Sequence, residues 1–129
     1  MKIVTVDTIS FKYSSPLKTE WRKNAVMREH VKYGLYGGEL NFNNITLEHL
    51  VPHSKGGKTK LNNLALATSL NNGKRSSLPL KENLTKEMFL NYIEQFKGWC
   101  AQLFDNKKYI TDLANTAEAQ GIKVKELIK

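Results

Sequence analysis

A carboxylate and an imidazole stand side by side at Glu48-His49, within the run Glu48-His49-Leu50-Val51-Pro52-His53-Ser54-Lys55-Gly56-Gly57. Asn62-Asn63-Leu64 follows, and then Asn71-Asn72-Gly73-Lys74. These residue types in this order suit hydrolysis of a phosphodiester. That reaction needs a water deprotonated, the charge on the phosphorane neutralised and the leaving oxygen stabilised. His49 can take the proton, because imidazole titrates near working pH. A hard divalent cation can supply the other two effects, and it takes oxygen ligands. Glu48 offers a carboxylate and Asn71 an amide carbonyl, so the expectation is a single-metal site.

Such residues must be positioned by local structure. Neighbours on a regular strand point to opposite faces. Glu48 and His49 can share one site only where a strand ends, and Pro52 with Gly56-Gly57 marks such an end. The pattern predicts a strand over Ile45 to Val51, a loop from Ser54 to Asn62, a second strand over Leu64 to Ala67, and a short helix from Ser69.

The whole set resembles the HNH nuclease family, whose pattern runs acid-His-x-x-Pro, Gly-Gly, Asn-Leu, Asn-x-x-Lys. Here it is met by Glu48, His49, Pro52, Gly56, Gly57, Asn63, Leu64, Asn71 and Lys74. The resemblance implies an α+β fold, a ββα-metal hairpin packed among helices. It makes His49 the general base, Glu48 and Asn71 the metal ligands, and Asn63 the brace of the loop that orients the base. Lys74 would approach phosphate. The implied cation is Mg²⁺, with Mn²⁺ also suited. The common acid at the first position is Asp, and Glu48 is longer by one methylene. Many family members hold a structural zinc on two cysteine pairs. At those places this chain has Gly34, Gly37, Ala67 and Leu70, so no structural zinc is expected there. Ala67 and Leu70 are the apolar replacements. The resemblance spans roughly Trp21 to Lys81. It implies an endonuclease or nickase acting on DNA, of the small kind common in phages, leaving 5′-phosphate and 3′-hydroxyl ends. The alternative is a nucleic-acid- or protein-binding module on the same scaffold with weak or no catalysis.

Charge supports a polyanionic partner. The chain has 129 residues, a net charge of +8 and a pI near 9.6. From His49 to Lys81 there is no Asp or Glu, while Lys55, Lys58, Lys60, Lys74 and Arg75 fall there. These five are the expected nucleic-acid contacts. His53 could assist the metal from behind its direct ligands. Nothing in the pattern reads base edges. One domain is expected at this length. The single cysteine, Cys100, suits a reducing cytoplasm, and no apolar run is long enough for a membrane span.

Outside the motif, Lys2 to Phe11 reads as a strand. A helix is expected from Ser15-Pro16 to about Tyr33, stopped by Gly34. A C-terminal helical extension covers about 85–120. Thr85 caps a helix whose apolar face carries Met88, Phe89, Tyr92, Ile93, Phe96, Cys100 and Leu103. Asp105-Asn106 breaks it, and a last helix carries Tyr109, Ile110, Leu113 and Ala117 up to Gly121. These helices complete the core or dock a protein partner. Trp21 and Trp99 could stack bases, though such residues more often fill a core.

Overall fold

The β-branched run before Glu48 forms strand β1 (Ile45–His49) in a computed structural model that describes residues 31–97 and 105–128. Strand β2 (Leu64–Thr68) pairs with it antiparallel, placing Glu48 opposite Ala65 and His49 opposite Leu64. Helix α1 (Ser69–Arg75) follows β2 directly, with Thr68 capping it by accepting the Asn71 amide. Helices α2 (Lys86–Glu94) and α3 (Asn106–Ala119) complete the described residues. The result is a small mixed α/β protein with a two-stranded antiparallel sheet and three described helices.

Several boundaries differ from the expected ones. β1 stops at His49 rather than Val51, because Leu50 and Val51 turn to meet Asn63. β2 runs one residue further, to Thr68. Tyr33 is not helical but bridges Glu39, so any helix before it ends earlier than expected. The strand expected over Lys2 to Phe11, most of the first helix, and Trp21, Trp99, Cys100 and Leu103 lie outside the described residues. Among those described, no helix is long and apolar enough to cross a membrane.

Thr85 caps α2 as expected, but α2 ends at Glu94, short of the expected Phe96, and Asp105, expected as a break, caps α3. Thr85 accepts the Met88 amide at 3.0 Å, and Asp105 accepts that of Lys108 at 3.0 Å. The α2 face of Phe89, Tyr92 and Ile93 is buried against Tyr109 and Leu113 of α3, with Leu35, Leu50 and Leu66 in the same core. Ile122 and Val124 are also buried, so the tail is anchored there.

The sheet has two outer edges, and side chains close both. Asn44 and Ser69, then Leu50 and Asn63, continue the β1–β2 ladder at its two ends. By alternation, Leu47, His49, Leu64 and Leu66 turn their backbone groups outward. Tyr92 Oη accepts the Leu66 amide at 2.8 Å, and Tyr109 Oη donates to Leu64 O at 2.8 Å. The two hydroxyls bond each other at 2.9 Å. Burial pushes both phenols well above their usual range, so they stay protonated donors. On the β1 edge, Asn72 Nδ2 donates to Leu47 O and Arg75 Nη1 to His49 O.

Tyr92→Phe strands the Leu66 amide in a buried site. The expected cost is about 1–3 kcal/mol. It should appear as a lower urea midpoint at unchanged slope.

Candidate active site

The chain leaves β1 under the control of Asn63. Leu50 N donates to Asn63 O at 2.9 Å and Val51 N to Asn63 Oδ1 at 2.8 Å. Asn63 Nδ2 donates back to Val51 O at 3.1 Å and on to Lys58 O at 2.9 Å. One buried amide therefore ties the strand exit to the lysine-bearing loop. Gly57 packs where no side chain fits, since a Cβ there would sit 1.8 Å from Val51 O.

Beyond β1 opens a cleft of about 350 Å³. Glu48, His49, Pro52 and His53 line it from the strand exit, and Asn72 and Ser76 from the α1 side. The His49 and His53 rings meet edge-on with centroids 6.5 Å apart. His49 Nε2 lies 3.0 Å from Thr59 Oγ1. Ser54 and Ser77 bond each other at 3.1 Å across the rim. Because β1 ends at His49, Glu48 and its neighbour reach the same cleft despite their opposite strand faces.

Glu48 is 3% exposed and Arg75 2%. Arg75 Nη1 bonds Glu48 Oε2 at 3.3 Å and His49 O at 2.8 Å, Nη2 donates to Leu50 O at 3.0 Å, and Nε to Leu78 O at 2.7 Å. Tyr36 Oη also donates to Glu48 Oε2. Burial pushes the Glu48 carboxyl above the usual carboxylate range, with the Tyr36 hydroxyl and the Arg75 guanidinium acting against it. Burial, and then the Glu48 charge, raise the Tyr36 phenol in turn, so it serves as a donor.

Three residues lie elsewhere than expected. Arg75 was expected on nucleic acid but is buried and holds backbone carbonyls and Glu48. Asn71 was expected at the metal, yet Asn72 lines the cleft. The Asn71 side chain lies toward Gly38, its Nδ2 2.9 Å from where a Gly38 Cβ would stand. Leu70 was expected to pack in place of a thiolate but is 67% exposed. Ala67 alone fills that role, with Gly34 so close that a Cβ there would meet Ala67 Cα at 2.8 Å. Of the remaining site residues, Asn63 and His53 stand as described, and Lys55, Lys58, Lys60 and Lys74 are exposed.

The sequence reading missed Tyr36 and Thr59, and it preferred Asn71 to its neighbour Asn72. Nothing local marks Tyr36 or Thr59.

The donor set suits a divalent cation in type. Carboxylate, amide and imidazole groups of Glu48, Asn72 and His49 wall one cleft, and Asn72 Nδ2, spent on Leu47 O, leaves its carbonyl oxygen for a ligand. Oε2 of Glu48 already carries Tyr36 and Arg75, so its other oxygen would serve. Among the described residues no group of three or more His, Cys, Asp and Glu side chains comes together. Comparison with protein-family profiles, with curated proteins and with solved structures finds no match to this chain.

Arg75→Met leaves the Glu48 charge buried and unpaired. The expected loss is about 3–5 kcal/mol in chemical denaturation. Lys74→Ala, one residue earlier and exposed, should change stability by no more than about 0.5 kcal/mol.

Proposed function

We propose that this chain is a metal-dependent endonuclease or nickase of the HNH type, hydrolysing phosphodiester bonds in DNA at the cleft beyond β1. The observation that carries the reading is the convergence of Glu48, His49 and Asn72 on one cleft, bordered by a loop of exposed lysines. A strand–loop–strand–helix order in which the acid-His pair ends the first strand supports it, as does the absence of acidic residues between His49 and Lys81.

In this reading His49 is the general base that accepts a proton from the attacking water. Asn63 holds the loop across from it. Lys55, Lys58, Lys60 and Lys74 bind backbone phosphates and give affinity without sequence information. Arg75 stays on the carbonyls of His49, Leu50 and Leu78 and keeps the strand exit in place. Glu48 and Asn72 are the residues that would hold a divalent cation. When bound it would neutralise charge on the phosphoryl oxygens and the leaving oxygen. By analogy with the family, the products carry 5′-phosphate and 3′-hydroxyl ends.

One observation favours a second reading. Arg75 already neutralises Glu48 from within the protein. A non-catalytic nucleic-acid-binding module would retain the lysines and the fold but gain nothing from an added cation.

Plasmid nicking with Mg²⁺, Mn²⁺ and EDTA separates the two. Cleavage should require the cation, and His49→Ala should lower the rate by about 10²–10⁴-fold while leaving DNA affinity intact. Wild-type activity in that variant would falsify the mechanism. DNA binding without cleavage under any cation would establish the second reading instead.

Asn72→Ala should raise the cation concentration needed for half-maximal cleavage, and Asn71→Ala should leave it unchanged. The opposite result would return the ligand role to Asn71. Replacing Lys55, Lys58 and Lys60 with Ala should weaken binding to unrelated duplexes alike. The log–log salt slope should flatten by roughly 0.9 for each phosphate that the protein ceases to neutralise.

A further inference from the structure

Arg75 ends α1 with its guanidinium on the carbonyls of His49 and Leu50, and the chain doubles back at once. Leu78 N donates to Arg75 O at 2.9 Å, while Arg75 Nε donates to Leu78 O at 2.7 Å. These bonds close a tight turn over residues 75–78. Ser76 takes its first central position at φ 47°, ψ −122°. That conformation belongs to a type II′ turn, where glycine sits without strain. Among the described residues Ser76 is the only non-glycine with a positive φ. Backbone held in so sparse a region costs stability, and such strain gathers at active sites and ligand clamps. Glycine would serve the turn better. What serine adds is a hydroxyl, on a residue that lines the cleft.

The same turn brings a second hydroxyl to that wall. Ser77 Oγ lies 3.1 Å from Ser54 Oγ, which comes from the loop after Pro52, 23 residues away in sequence. In such a pair one hydroxyl donates to the other, and the second keeps its proton for a ligand. Lys55 follows Ser54 and Lys74 precedes Arg75, and both lysines are exposed. Glu48 is the one carboxylate lining the cleft, and Arg75 is already paired with it. A wall of hydroxyl donors with cations in the flanking chain suits a phosphate oxygen. Hydroxyl donors bind more strongly to such a charged acceptor than to a neutral one, and serines commonly contact DNA phosphates.

We propose that Ser54, Ser76 and Ser77 form a phosphate subsite on the wall of the cleft, donating hydrogen bonds to a backbone phosphate of the bound DNA strand. The proposal rests on the cleft being the phosphodiester site of the function proposed above. The hydroxyls carry no charge. They fix the position of the strand without adding to counterion release, unlike the lysines. The strain at Ser76 is then the cost of presenting a hydroxyl from the turn.

The test is the affinity of the full chain for a DNA duplex in EDTA, where no cleavage is needed. Ser76→Gly relaxes the turn and removes the hydroxyl, whereas Ser76→Ala keeps the strain and removes the hydroxyl. Ser76→Gly should raise the urea midpoint, because the strain relieved exceeds the extra freedom of glycine in the unfolded chain. Both variants should weaken duplex binding by roughly 10-fold, as expected for a lost hydrogen bond to a charged acceptor. Ser54→Ala combined with Ser77→Ala should do the same. All should keep the log–log salt slope of the wild type, since no cation is lost. A residue that only shaped the turn would move stability and affinity in the same direction. Unchanged affinity in either the Ser76 variants or the double variant would overturn the proposal, as would a lower urea midpoint in Ser76→Gly or a flattened salt slope. Weakened binding in a protein that cleaves nothing with Mg²⁺ would support the subsite and remove the hydrolysis reading. Should the wild type bind no duplex, inorganic phosphate added to the ¹⁵N-labelled chain decides. Shifts at the Ser54, Ser76 and Ser77 amides would keep the phosphate subsite and remove the DNA reading, and their absence would overturn both.

Discussion

The buried guanidinium of Arg75 is the interaction on which the site depends. A cation removed from water costs several kcal/mol unless acceptors surround it. Here they do: Glu48, and the carbonyls of His49, Leu50 and Leu78. A planar fork of fixed donors can meet such a set, and an ammonium cannot. The same group performs three tasks. It holds the C-terminal end of β1, ties α1 to that strand, and lets a glutamate lie buried beside the cleft. Tyr36 adds a second donor on the same carboxylate oxygen, so Glu48 is held from the 34–38 turn as well as from the helix. The acid is therefore fixed before any ligand arrives.

Charge counting could not have revealed this. In sequence Arg75 is one more cation in a basic stretch, alike in sign to Lys74 beside it. Only the folded chain separates the two, one facing solvent and one facing carbonyls. The Asn71–Asn72 pair has the same origin. Both residues offer the same amide, and the choice between them depends on helical phase, which a motif spacing of one residue either way does not fix. In α1 the Asn72 amide reaches β1 at Leu47 O, while the Asn71 side chain lies toward Gly38. The hairpin, its long loop and the two capped C-terminal helices were legible because each rests on local signals. These were β-branched runs, Pro and paired Gly at the turn, Thr85 at a cap and the Asp105-Asn106 break. Tyr36 and Thr59 were not legible, because their partners lie 12 and 10 residues away across the fold.

Packing fastens the 34–38 turn to the sheet. Gly34 lies directly on Ala67, and the next amide, Leu35 N, donates to Leu66 O at 2.8 Å. A pair of small residues in backbone contact thus fastens the turn to β2. Leu70, turned to solvent, takes no part. Gln95 joins the turn region to α2 by accepting the amides of Lys32 and Tyr33 and donating to Tyr33 O. The 31–40 segment is consequently built into the core from two sides.

The closed edges of the sheet carry a consequence for assembly. An exposed strand edge is a template for another chain, whether a second copy or an extended peptide. In this protein the outward carbonyls of Leu47 and His49 are taken by α1, and the outward groups of Leu64 and Leu66 by two tyrosines and Leu35. Among the described residues, an added strand would meet carbonyls already taken on both edges. The hairpin and α1 are also not a transplantable cassette. Moved to another scaffold without α2 and α3, they would bring an adhesive edge along with the residues of the cleft.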